Sequence, residues 1–131
     1  MIYYKTKITD ISKKDLIKIN KICIKFCKKN LGCDKNLKVK LIKNDNPGFY
    51  GEFNYDDDTI IIYLNVCKSI GVYTSTFIHE WTHTLQPCKK KYAKLFKKFG
   101  YDNHPFEVES RDNEKKYNRI LLKKIRTVFE K

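Results

Sequence analysis

Two histidines four residues apart, with a glutamate directly after the first, stand at His79-Glu80-Trp81-Thr82-His83. Four residues is about one helical turn, so on a helix both imidazoles leave the same face, as two ligands of a tetrahedral zinc must. Glu80, beside the first ligand, is then placed to act as a general base toward water. At this chain's His and Glu frequencies the pattern arises by chance in roughly three of a thousand such chains. Around a helix Ile78, Trp81 and Leu85 gather roughly opposite the two histidines, so burying that apolar stripe turns the pair toward a cleft. A hydrolytic zinc site needs a third protein ligand, and His104, Glu107 and Glu109 each carry a donor that zinc accepts. The two glutamates are also ordinary first-turn carboxylates on a helix dipole.

The flanks narrow the reading. The run Thr76-Phe-Ile-His-Glu-Trp-Thr-His-Thr-Leu85 resembles the extended zincin metallopeptidase signature, with uncharged residues beside the ligands and a bulky apolar residue two places after the second histidine. A metzincin continuation is excluded, because Gln86 and Lys89 stand where that class has Gly and His. The segment His104-Pro-Phe-Glu-Val-Glu-Ser-Arg-Asp-Asn-Glu114 is similar to the second helix of gluzincins, where a Glu followed by a small residue is the third ligand. That resemblance implies Glu109, followed by Ser110, as the ligand, and Asn113 as the residue that orients a ligand histidine without adding charge. His104 is loosely similar in spacing to the third histidine of SprT-type proteases, which act on proteins attached to DNA, although Pro105-Phe-Glu107 departs from that pattern. The resemblance implies a zinc metalloendopeptidase acting on a protein or peptide. An SprT-like protease and a zincin-shaped protein that binds metal without turnover are its alternatives. Tyr101, His104 and Tyr117 are the candidates for a donor to the oxyanion.

These residues need elements to hold them. Ser12-Lys-Lys-Asp15 opens a helix whose apolar positions Leu16, Ile19, Ile22, Cys23, Phe26 and Cys27 recur at helical spacing until Gly32. Strands are predicted at Leu37–Lys43, Phe49–Tyr55 and Thr59–Asn65, separated by Asn44-Asp-Asn-Pro-Gly48 and Asp56-Asp-Asp58. The last strand precedes the active helix, so its edge is the expected place for an extended peptide to add. Helices follow at Tyr73–Gln86, Lys89–Phe99 and from Pro105 toward Lys131. The expected fold is one α+β domain over residues 1–131. It has a small, mostly antiparallel sheet, an N-terminal helix, the active-site helix and a long C-terminal helix.

Composition limits the partners. Apolar residues are 41% and aromatics 14%, and no apolar run reaches the roughly 20 residues of a membrane span. With no signal-like start, an intracellular location is expected. Net charge is +13, which carries an expectation of weak nucleic-acid affinity. Lys outnumbers Arg 25 to 3, however, and with 15 Ile and 10 Asn this reads as codon bias of an AT-rich genome, a viral one included. Cys23, Cys27, Cys33, Cys67 and Cys88 are odd in number and form no C-x-x-C pair, so reduced thiols on a buried face are expected rather than disulfides or a second zinc site.

Overall fold

The computed structural model of the protein describes residues 2–87 and 89–130, so Cys88 lies outside the described residues. Helix α1 spans Lys13–Asn30 and begins where expected, the Ser12 hydroxyl accepting from the Asp15 amide at 3.1 Å. It buries Leu16, Ile19, Cys23, Phe26 and Cys27, and ends before Gly32, which takes φ +94°, a conformation that costs a glycine nothing. Burial pushes the Cys23 and Cys27 thiols well above their usual range. Cys33 is exposed and donates to the Lys35 carbonyl, so these three sulfurs form no metal cluster.

Strands β1 (Lys38–Ile42), β2 (Gly51–Asn54) and β3 (Thr59–Tyr63) form a sheet in the order β1-β3-β2. Two findings differ from the expectation. The sheet is mixed, since β1 runs parallel to β3 and β2 antiparallel to it. Period-two alternation reports which side chains face the core, not which way the neighbouring strand runs. The second difference bears on the site: β3 is paired on both sides, so the expected peptide-binding edge is not there. The free edge beside the helix that carries the paired histidines belongs to β2. Centrality also explains why β3 has the strongest apolar run, with Ile60 and Ile62 fully buried.

A short helix α2 (Leu64–Cys67) leads to α3 (Ile70–Thr84), which carries the paired histidines. The first amides of α3 are all satisfied. Ile70 and Gly71 donate to the Thr6 and Tyr4 carbonyls at 2.9 and 2.8 Å, and Val72 donates to the Ser69 hydroxyl at 3.3 Å. Phe77, Ile78 and Trp81 are fully buried, each side chain worth about 1.5–3 kcal/mol of burial. The Trp81 indole also donates to the Gly32 carbonyl at 2.8 Å, tying α3 to the end of α1. Helix α4 (Lys89–Phe99) buries none of its residues. Helix α5 (Pro105–Phe129) runs antiparallel to α3, joined to it by Thr74–Asn118 at one end and by His83–Glu107 at the other. Among the described residues no helix is long and apolar enough to cross a membrane.

Candidate metal centre

The geometry of α3 puts His79 and His83 on one face, and their rings stand edge to face with centroids 4.9 Å apart. Donor atoms of His79, Glu80 and His83 lie within 4.8 Å of one another. Facing them from α5 is Glu107, whose Oε1 is 2.8 Å from His79 Nε2 and 3.2 Å from His83 Nε2. A tetrahedral ion with ligands at about 2.0–2.1 Å holds its donors about 3.3 Å apart, close to these separations. Two imidazole nitrogens and one carboxylate oxygen are also the donor set that zinc takes in hydrolytic sites. The residues therefore fit a zinc ion.

Each of the three donors is held by its other end. His79 Nδ1 meets Glu114 Oε2 at 2.7 Å, and Glu114 in turn accepts from the Ser75 hydroxyl. His83 Nδ1 donates to Gln86 Oε1 at 2.7 Å, while the Gln86 amide nitrogen donates to the Phe106 carbonyl and to Glu109 Oε1. Glu107 Oε2 accepts from the Tyr92 hydroxyl. Such partners fix ring orientation and leave the Nε2 atoms aimed inward.

The structure separates the three carboxylate and imidazole candidates. The carboxylate that meets both imidazoles is Glu107, which is 3% exposed. Glu109, the expected ligand, is exposed, and its carboxylate rests on Gln86. Two residues turn a helix by about 200°, so Glu107 and Glu109 cannot face α3 together. The inward stripe is Glu107, Ser110, Glu114, Leu121 and Ile125, and stepping back by sevens from Leu121 reaches both glutamates that meet the histidines. Sequence reasoning passed over Glu114 because Phe106 and Ile120 drew the apolar face off this stripe; Ile120 is 54% exposed. Asn113 does not orient a histidine but donates to the Thr82 hydroxyl at 3.0 Å. His104 is fully buried as the cap of α5, its Nδ1 accepting from the Phe106 amide and its Nε2 donating to the Tyr92 carbonyl. Tyr92 and Gln86 had no signal in the sequence, since their roles exist only once α4 and α5 close on α3.

Electrostatics follows from this packing. Burial works against the His79 proton, but the hydrogen bonds from Glu107 and Glu114 outweigh it and raise the imidazole to about 10. His83 is raised for the same reason, by Glu107 and Glu80 against burial. Burial would raise Glu107, yet its hydrogen bonds to His79, His83 and Tyr92 hold it far below the usual carboxylate range. Burial lifts Glu80 to about 7, with the two imidazoles pulling the other way.

Glu80 and His79 line a cleft of about 540 Å³ with Gly51, Thr76 and Tyr101. A side chain on Gly51 would come within 2.8 Å of the Ile61 carbonyl and 3.4 Å of Glu80 Cγ, so the absence of a Cβ lets β2 lie against α3. Of the three candidate oxyanion donors, Tyr101 lines the cleft, Tyr117 packs edge-on against Phe26, and His104 is the helix cap.

The chain matches no protein-family model, no curated protein and no solved structure.

Proposed function

We propose that the protein is a zinc-dependent metallopeptidase, with His79, His83 and Glu107 holding the metal and Glu80 as general base. The observation that carries this reading is the convergence of two Nε2 atoms on one oxygen of a buried carboxylate, beside a second buried carboxyl on a cleft. The ligand chemistry then resembles that of gluzincins, with Glu107 in the place that the sequence alignment gave to Glu109.

Zinc in this position supplies a Lewis acid that acidifies water and polarises a carbonyl. Glu80 takes the proton of the attacking water on its carboxylate and returns it to the leaving amine; burial to about 7 suits both directions of transfer. Glu114 and Gln86 keep the ligand nitrogens oriented. Tyr101 offers its hydroxyl to the developing oxyanion, and partial burial, reinforced by the nearby Glu107 and Glu80 charges, lifts that hydroxyl to about 12, so it stays a donor at neutral pH. The free edge of β2 is the place for an extended peptide to pair. A three-histidine site through His104 gains no support, since both of its ring nitrogens are engaged by backbone.

Glu80→Gln tests the reading. Zinc content should stay at one per chain while hydrolysis of a quenched-fluorescence peptide mixture falls at least about 100-fold, the lower range for loss of a positioned base. Undiminished hydrolysis by the zinc-loaded variant would refute the general-base role, and a zinc-loaded native protein that cleaves nothing would favour a binding protein over an enzyme.

A further inference from the structure

The chain has only three arginines among its 28 basic residues, and all three line one cavity. Arg111, Arg119 and Arg126, with Lys115 and Leu122, occupy an arc of about 80° on α5, because their spacings of four, four, three and four residues keep nearly to one helical row. The cavity encloses about 600 Å³, and Tyr4, whose ring covers the backbone of Gly71, forms part of its wall. Lysines are spread over the rest of the surface; arginine, the planar fork that grips a carboxylate with two parallel hydrogen bonds, is confined here.

Among the described residues these cations have no carboxylate partner, since none of Arg111, Lys115, Arg119 and Arg126 forms an ion pair. Arg111 donates to the Asp102 carbonyl, which is neutral. Arg126 stacks over the Tyr3 ring with 5.4 Å to its centroid, and its Nε is buried with no hydrogen-bond partner among the described residues. Glu114, the carboxylate on this cavity's wall, is already engaged by His79 and Ser75.

The cavity adjoins the cleft beside Glu80. Arg111 and Glu114 line both. The arginine row from Arg111 to Arg126 covers about 22 Å, the reach of about six residues of extended peptide. We infer that this cavity binds an acidic stretch of the peptide chain whose scissile bond lies over Glu80, making Asp and Glu residues a few places from that bond a specificity determinant. The inference rests on the peptidase reading for what the cleft does, but the binding itself needs no turnover. A peptide is favoured over a nucleic acid because the adjoining cleft is lined by Gly51 of β2, whose outer edge can pair with a polypeptide backbone.

The test measures binding apart from cleavage, by fluorescence anisotropy with the full chain carrying Glu80→Gln. The probes are a labelled peptide rich in Asp and Glu, its Asn and Gln counterpart, and a single-stranded oligonucleotide of equal charge. The acidic peptide should bind at least about tenfold tighter than the neutral one, and Arg119→Gln with Arg126→Gln should remove at least about tenfold of that affinity, as expected for two charge-assisted hydrogen-bonding groups. Arg119→Gln alone, at an exposed position that folding does not need, should lose about threefold. Lys94→Gln with Lys97→Gln, the same change of net charge on α4, should lose less than twofold. Equal losses in the lysine control, no preference for the acidic over the neutral peptide, or an oligonucleotide that depends on the arginines more than the peptide does would each overturn the inference. His79→Ala with His83→Ala separates the two readings: it ends hydrolysis if the peptidase reading holds, and should leave arginine-dependent peptide binding within about threefold.

Discussion

Replacing Glu107 by glutamine keeps the size of the side chain and removes its charge from between two imidazoles. In the native arrangement Oε1 lies 2.8 and 3.2 Å from the two Nε2 atoms and Oε2 accepts from Tyr92, so both oxygens of this carboxylate are engaged. A group acting one layer behind a metal ligand is worth about 10 to 100-fold in affinity. Loss of the only anionic ligand should exceed that range, at about 1,000-fold, which is about 4 kcal/mol at 1.4 kcal/mol per decade. Glu109 acts through Gln86 and then His83, two hydrogen bonds from the donor atom, so Glu109→Gln should cost less than about tenfold. Competition against a chromogenic zinc chelator gives both numbers on the same scale. A second readout needs no metal: in chelator-treated protein the His79 imidazole, held near 10 against burial by Glu107 and Glu114, should titrate lower in Glu107→Gln and unchanged in Glu109→Gln when followed by NMR. A Glu107→Gln protein that keeps its zinc affinity within threefold, or a Glu109→Gln protein that loses more than Glu107→Gln, would refute the assignment of Glu107 to the metal.

Four further outcomes are expected. Zinc affinity should rise with pH from about 6.5 toward about 10 with proton release on binding, measured by calorimetry in buffers of different ionisation enthalpy, because His79 and His83 are raised above 6.5 and must shed protons to bind metal; a flat profile would contradict the site. In chelator-treated protein the signs run the other way: His79 contributes stability in full below 6.5 that is lost as pH rises through about 10, Glu80 contributes in full below 4.5 and loses it through about 7, and depressed Glu107 contributes above 4.5, so Tm should fall from pH 5 toward pH 10. His104→Ala should lower stability by about 1–2 kcal/mol, a cap's worth, while zinc stoichiometry stays at one; loss of zinc from a folded variant would restore the three-histidine reading. Gly51→Ala should destabilise by about 1–3 kcal/mol and depress hydrolysis, because its Cβ would sit 2.8 Å from the Ile61 carbonyl, backbone that cannot step aside without moving β2 from Glu80.

The sequence was informative where a local rule decides the outcome. Ser12 and Asp15, the Asp56–Asp58 turn, Pro105 and the apolar period of α1 place elements to within a few residues, and the histidine pair follows from helical spacing alone. It was least informative where two distant segments meet. Whether Glu107 or Glu109 faces α3 depends on the rotation of α5, and that is set by Leu121 and Ile125 at the far end of the helix rather than by residues beside the glutamates. The family resemblance pointed to Glu109 through the small residue after it, and Ser110 is indeed fully buried, but it marks the stripe shared with Glu107. Strand order was likewise out of reach. The hairpin joining β2 and β3 is local, with Asn54 accepting from the Asp56 amide at 2.9 Å, whereas the parallel pairing of β1 with β3 is not.

Helix α4 buries none of its residues, yet Tyr92 within it stacks on His104 at 4.0 Å and donates to Glu107. A helix attached this way opens at low free energy compared with the core, so its amides should exchange with solvent long before those of α3 and α5. Each such opening takes the Tyr92 hydroxyl from Glu107, and by reciprocity any occupant that steadies Glu107 also steadies α4. The exchange rate of a solvent-covered, lysine-rich helix is therefore a remote gauge of what sits between the two histidines. Its outward positions can drift in sequence with little penalty, while position 92 cannot.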